Sequence, residues 1–249
     1  MKIKTKTILI TSLLPALSLM SHAGEETAEL APVASGSGSW YWSAEAGFNY
    51  THNLEIEYPT LLGLFGPAAG YQNLEMDDGY AAGLALGYAM AEDASGQWSF
   101  ELEALFSNNS FSGSSPLPGP NVRRVSGDLD QLSLILSARR SFSKWESFTP
   151  YIGLGIGGSY NCMDVTQQRF TFGTLSNQIN ADDEDIALVY QATLGVEIPV
   201  SESWTFFTEY RFSETHDSEF ILGQGPAGNT NVDDEIQNHS LLFGFKTEF

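Results

Sequence analysis

Long apolar runs are almost missing from this sequence. One stretch, Ile8 to Met20, is too short to cross a bilayer as a helix, and no later segment stays apolar for the ~18 residues such a helix needs. A helical membrane protein is thereby excluded. Cysteine is nearly absent too. The lone Cys162 rules out an internal disulfide framework and a cysteine-held zinc cluster, and it reads as filler at a strand end. Bases are scarce: 11 Lys and Arg stand against 31 Asp and Glu, a net charge of -20. Binding to nucleic-acid phosphate needs a basic face, so no nucleic-acid partner is expected. No cofactor motif or metal-ligand spacing is present, and no EF-hand loop.

The short apolar run has a context. Lys2, Lys4 and Lys6 precede it, and Ser21-His22-Ala23 follows, with small residues at the positions a signal peptidase reads. Residues 1–23 are therefore expected to be an export signal cleaved after Ala23. No cysteine follows the run, so a lipoprotein signal is excluded. Residues 24–39, acidic and rich in Gly and Ser, read as a flexible leader, which leaves 40–249 as one folded domain. An aromatic content of 12% argues against general disorder. An exported chain without a membrane helix is either soluble outside the cytoplasm or a β-barrel in an outer membrane.

What the sequence has in quantity is alternation. From Trp40 onward, Trp42, Ala44, Ala46, Phe48 and Tyr50 alternate with Ser43, Glu45, Gly47, Asn49 and Thr51. A period of two is the mark of a strand. It recurs over 79–88, 98–107, 132–139, 152–160, 188–198, 204–212 and 241–249, giving eight strands. A soluble β-sandwich also alternates. Here, however, the polar face is mostly Gly, Ser, Ala and Thr with isolated charges, as a narrow barrel lumen requires, whereas a water-facing sheet would be rich in Lys and Glu. Aromatics gather at segment ends. Trp40, Trp98 and Trp204 mark a lower girdle at one membrane boundary, and Tyr50, Phe106 and Tyr210 lie near the far ends. Glu45, Glu103 and Glu209 each follow one of those tryptophans by five positions, so the three carboxylates are expected at a similar height inside. Short connections (90–97, 143–148, 199–203) alternate with long ones (53–78, 108–128, 161–185, 213–238). That pattern predicts an all-β, eight-stranded antiparallel transmembrane barrel with short periplasmic turns and four long, acidic extracellular loops.

Several segments resemble a known family. Thr149-Pro150-Tyr151-Ile152-Gly153-Leu154-Gly155-Ile156-Gly157 is similar to the fifth strand of the small outer-membrane β-barrels that include OmpA-like transmembrane domains and opacity-type surface proteins. Residues 190–197 resemble that family's sixth strand, and Glu209-Tyr210-Arg211-Phe212 its seventh. The last strand, with Leu241, Phe243, Phe245 and Phe249 on one face, resembles the terminal signal read by the outer-membrane insertion machinery, although Thr247 stands where an aromatic is usual. The resemblance covers 40–249 and implies an outer-membrane location in a Gram-negative cell envelope.

Four constellations remain to be weighed. Gly153, Gly155 and Gly158 spell G-x-G-x-x-G, but a strand and then a polar loop follow instead of the helix a nucleotide needs, so these glycines line a crowded lumen. Glu45, Glu101, Glu103, Arg139, Glu197, Glu209, Arg211, Lys246 and Glu248 fall on the lumen face. They read as a paired network that plugs the bore, with a charged conduction path as the alternative. The acidic runs at 182–185 and 233–235 suggest divalent-cation bridges to lipopolysaccharide, or, more simply, a solvated acidic surface, which is the preferred reading. His216 and Ser218 faintly resemble the pair used by lipid A deacylase barrels. The expected role is a surface or structural protein acting through its loops. A narrow channel for small solutes and a lipid A-modifying hydrolase using His216 and Ser218 are the alternatives. Expected partners are outer-membrane lipid and lipopolysaccharide, the insertion machinery, and an extracellular ligand at the loops.

Overall fold

The computed structural model describes residues 38–249 apart from 53, 63–65, 118–119, 144, 146 and 226–227, with backbone alone for 55–62, 66–73, 217, 219, 221–225 and 228–234. The expected signal, 1–23, and all but the last two residues of the leader, 24–39, lie outside the described residues. Among the described residues ten strands form. They are β1 (Ser39–Thr51), β2 (Leu54–Leu62), β3 (Gly66–Met76), β4 (Gly79–Ala89), β5 (Gly96–Leu117), β6 (Asn121–Phe142), β7 (Thr149–Thr171), β8 (Thr174–Pro199), β9 (Trp204–Gly225) and β10 (Gly228–Glu248).

Eight of these strands close a ring of antiparallel neighbours. β1 pairs with β4, the chain runs up and down through β9 to β10, and β10 returns to β1 with Ala44 opposite Phe245. β2 and β3 form a hairpin that continues the wall past the ends of β1 and β4. β3 meets β5 at Met76 and Phe111, and β2 meets β10 at Glu57 and Asn231.

The sides of the wall are inverted relative to a soluble sheet. Leu134 is 57% exposed while its neighbour Ser133 is 8% exposed, and the same alternation runs along β5, β6 and β7. Exposed leucines occupy a central band, with Leu84, Leu102, Leu154 and Leu194 among them. At one end of the band Trp40 packs on Tyr88 and Trp42 on Trp204, with ring centres 5.3 and 5.7 Å apart. At the other end His239 sits among Tyr50, Tyr210 and Phe212, and its Nδ1 meets the Tyr210 hydroxyl at 2.6 Å. An apolar band between two aromatic rims is the outside of a barrel in lipid.

The segments expected as long loops are instead mostly strand. β5 and β6 stay paired as far as Leu117 opposite Asn121, and β7–β8 turns at Phe172-Gly173. Their Ser, Gly and Asn content hides the alternation, yet inward positions continue without a break through Asn109, Phe111, Val125, Leu129, Met163 and Val165, all buried. Phe111, Val125, Leu129, Met163 and Val165 join Leu54, Leu74, Met76, Phe220 and Ile236 in an apolar core inside the wall, beyond the upper aromatic rim.

Four inward-facing aromatics share one packing rule. Tyr41 stands opposite Gly87, Tyr151 opposite Gly195, Phe207 opposite Gly244, and Phe111 opposite Gly127. In each pair the ring lies where the glycine's Cβ would be. Glycine is thus required by close approach, and a bore only a few side chains wide gains room for a ring.

Two expectations follow. Leu134→Arg should cost about 2–4 kcal/mol of folding stability in lipid vesicles and Leu134→Ala far less. Urea titration reads both, and equal tolerance would mean that this face meets water. At the short-turn end Asp93 accepts hydrogen bonds from Ser95 N (2.8 Å) and Oγ (2.7 Å) and pairs with Arg140 at 3.0 Å. The Ser95 hydroxyl first, and Arg140 second, hold its carboxyl below the usual carboxylate range. A lowered folded value contributes stability above the unfolded pKa of ~3.9, and that contribution is lost as pH falls through the lowered value. A carboxyl NMR titration of Asp93 should show a midpoint below that of a free aspartate, and Arg140→Ala should move it upward.

Candidate functional site

Successive layers of side chains fill the bore. At the short-turn mouth Lys246 Nζ pairs with Glu197 Oε1 at 2.7 Å and lies 5.0 Å from the centre of the Tyr41 ring. Glu248 is exposed at the rim, where it accepts a 3.0 Å hydrogen bond from Ser39 Oγ. It therefore stands apart from the buried charges.

The next layer is built around Arg139. Its Nε meets Glu101 Oε2 at 2.7 Å and its Nη2 meets Glu209 Oε2 at 3.1 Å, while the guanidinium lies 5.1 Å over the Tyr151 ring. Two tyrosine hydroxyls donate into the same carboxylates: Tyr41 to Glu101 at 2.5 Å and Tyr151 to Glu209 at 2.7 Å. Both rings stand on the glycines described above, so the packing rule also positions the hydroxyls.

Arg211, fully buried, centres the layer above. Nη1 meets Glu103 at 2.6 Å, and Nη2 meets Glu45 at 2.8 Å and Glu209 at 2.5 Å. The offset from the three tryptophans placed Glu45, Glu103 and Glu209 at one height, and one guanidinium touches all three. Gln191 Nε2 donates to Glu103 Oε2 (3.5 Å) and Ser137 Oγ (3.3 Å). Four buried carboxylates thus share two guanidiniums. Planar, permanently charged forks suit this arrangement, since each binds several carboxylates at fixed angles.

Above the charges comes a layer of amides that alternation alone does not single out. Asn49 Nδ2 donates to Asn109 Oδ1 at 2.6 Å, Asn238 Nδ2 to Gln131 Oε1 at 2.8 Å, and Gln131 Nε2 to Asn161 Oδ1 at 3.0 Å. Thr51 and Ser240 close the ring by donating to Asn238 and Asn49, both at 2.6 Å. Each amide falls on the inward parity of its strand. The clue was available, but an uncharged Asn near a strand end also reads as a turn residue. The apolar core of β2, β3 and the upper β5–β10 lies beyond.

The catalytic pair suggested by spacing does not assemble. The pairing of β9 with β10 slips near 216–217, where Thr215 faces Ile236 but Ser218 faces Asp234. His216 therefore lies outside beside exposed Leu188, with Nδ1 3.7 Å from Glu235. Ser218 lies inside, 1% exposed, and accepts a 3.5 Å hydrogen bond from Asn161. The wall separates the two side chains, so the hydrolase alternative is withdrawn. The run 182–185 alternates across β8, with Asp182 and Glu184 exposed outside and Asp183 and Asp185 half-buried on the inner side. Among the described residues no three His, Cys, Asp or Glu side chains converge as a metal site. The side chains of Asp233 and Asp234 lie outside the described residues.

Removing Arg211 leaves Glu45, Glu103 and Glu209 facing one another. Arg211→Ala should cost about 3–5 kcal/mol in a detergent melt. Adding Glu45→Gln and Glu103→Gln to that variant should restore part of the loss, because the repulsion goes with the charges. A triple variant no more stable than Arg211→Ala would show that the loss comes from packing alone.

Comparison with known proteins follows the same lines. No curated protein matches the sequence. Among solved structures the chain is similar to Neisserial surface protein A (TM-score 0.42, 15% identity, covering 86% of this chain and 100% of that one). It is also similar to OprG of Pseudomonas aeruginosa (0.45, 17%, 86% and 99%) and to Ail, the attachment invasion locus protein of Yersinia pestis (0.34, 13%, 85% and 99%). The family described as outer membrane protein beta-barrel domain matches residues 10–249. With its closed ring of strands, apolar exterior and polar interior, the chain belongs to that family and resides in the outer membrane.

Proposed function

We propose that this protein is a closed barrel that acts at the cell surface through its extended outer hairpins rather than by passing solutes. The observation that carries this reading is the double filling of the bore. A charge network centred on Arg139 and Arg211 spans the membrane level, and an apolar core centred on Phe111, Leu129 and Phe220 lies beyond it. An eight-stranded barrel leaves room for little more than its own side chains. An ion entering from outside would have to pass the buried Leu, Met and Phe of this core, and transfer of a charge into such surroundings is strongly unfavourable.

The partners follow from the surfaces. Outer-membrane lipid and lipopolysaccharide surround the leucine band and its aromatic rims. The insertion machinery takes the last strand, whose Leu241, Phe243, Phe245 and Phe249 all face outward. The hairpins beyond the membrane, acidic on β8 and toward β10, are left to meet an extracellular ligand.

Planar-bilayer recording tests the reading. The intact protein should give no steady conductance, and Arg211→Ala should stay silent because the apolar core is untouched. Steady, salt-dependent conductance by the parent protein would instead favour the narrow channel.

A further inference from the structure

The wall is not closed over its whole height. The pairing of β8 with β9 stops at Leu188 opposite His216, although both strands run on. From Thr174 to Ala187, β8 keeps β7 on one side, and among the described residues no strand pairs with its other side. β9 beyond His216 likewise pairs only with β10. In an antiparallel strand the backbone groups of every second residue point to the same edge. This stretch of β8 therefore offers a row of N–H and C=O groups to a strand that is not there. An open edge is intolerable in hydrocarbon. This one starts beyond the level of Phe212, which lies opposite Ala192 in the upper aromatic rim, and so it stands clear of lipid.

Edges in water are usually blunted by proline, lysine or a bulge. On β5, which loses β3 beyond Ser112, the short end left over carries Pro116. The β2–β3 hairpin carries Pro59 and Pro67. β8 between Asn177 and Ala187 has no proline, no lysine and no register shift against β7.

What this edge carries instead is charge of one sign. Asp128, Asp164 and Asp182 stand directly opposite one another across β6, β7 and β8, all exposed on the outer face, and Glu184 follows on β8. Asp128 accepts a 2.8 Å hydrogen bond from Ser110 Oγ, and Glu184 meets the Tyr160 hydroxyl. Like charges directly opposite in a sheet are destabilising, and this row runs out to the open edge. A second copy pairing through its own β8 would add four more carboxylates, Asp182 to Asp185, to the same place. A strand of the opposite charge would instead relieve the row. Beside Glu184 on the same face stands Ile186, 77% exposed.

We propose that the outer edge of β8 takes up an extended polypeptide segment with Lys or Arg at alternate positions, as an added strand. The main chain of the guest bonds the open edge, and its alternate side chains give the specificity. Its bases stand opposite Asp182 and Glu184, and an apolar residue next in the alternation covers Ile186. The carboxylates keep copies of this chain apart, as lysines do on other edges, and admit a strand of the opposite charge. The proposal rests on the surface reading above only in needing this hairpin outside the membrane.

The test uses the full-length protein in detergent at physiological ionic strength and reads the fluorescence anisotropy of labelled peptides. The probe is a short peptide that alternates Lys with Thr and ends in Ile. Two controls share its length. One has Glu in place of Lys, and the other keeps Lys but carries N-methyl groups on its backbone amides. The Lys peptide should bind and the controls should not. Asp182→Asn/Glu184→Gln should weaken the Lys peptide about threefold or more. Asp182→Lys/Glu184→Lys should switch the preference to the Glu peptide, with thermal melts matching the parent. If the reversed variant does not fold, the neutral one reads the same contribution. No binding of the Lys peptide, or undiminished binding by the charge variants, would overturn the proposal. Equal binding of the N-methylated peptide would overturn the added strand in favour of adsorption to an acidic surface. A dimer in detergent that takes up no peptide would overturn it in favour of a second copy. A silent bilayer record alongside a failed peptide test would leave the closed surface barrel standing without this partner.

Discussion

Backbone groups in hydrocarbon have no water to bond, so a sheet in lipid cannot keep an open edge. Everything else in this molecule depends on the pairing of β1 with β10, which removes that edge. The pairing runs from Tyr41 opposite Glu248 to Thr51 opposite Asn238, and the Phe249 amide then donates to the Trp40 carbonyl at 2.9 Å. The two ends of the folded domain are thereby tied at the same rim. Once the ring is closed, the strand period of two leaves no choice about which side chains face lipid and which face the bore.

Closure also creates the packing problem that the interior solves. Eight strands enclose a narrow column, and the inward positions must fill it without voids or unpaired charge. Gly87 and Gly195 make space for the rings of Tyr41 and Tyr151, and their hydroxyls then complete the hydrogen bonding of Glu101 and Glu209. Steric fit and electrostatics are in this way one arrangement. Exchanging Gly195 for a larger residue would displace Tyr151, and with it a donor to the carboxylate that joins Arg139 to Arg211.

Much of this is legible in the sequence alone. Alternation gave the eight strands, and parity gave the inward set from Glu45 to Lys246. The tryptophan offset brought three glutamates to one level, because all three strands share the same rise per residue. Contact partners were not legible: that Arg139 takes Glu101 while Lys246 takes Glu197 depends on the stagger around the ring, which no single strand reveals. The length of the outer hairpins was missed for a different reason. Their outward positions are polar because they face water, so the contrast that marks a strand in lipid disappears just where the inward face turns apolar. The slip near 216–217 was likewise invisible, since a bulge inserts a residue without changing composition, yet it decides that His216 and Ser218 never meet.

The apolar core beyond the membrane has a consequence for how the barrel reaches its place. With the hairpins on the outer side, as proposed above, its members, from Leu54 to Ile236, come from segments that must all have crossed the bilayer before they can touch. On the near side they are separate, wet and unpaired. On the far side they close over one another and leave water. Burial there works as a ratchet: each hairpin that arrives raises the free-energy cost of sliding back, and the last arrival locks the others.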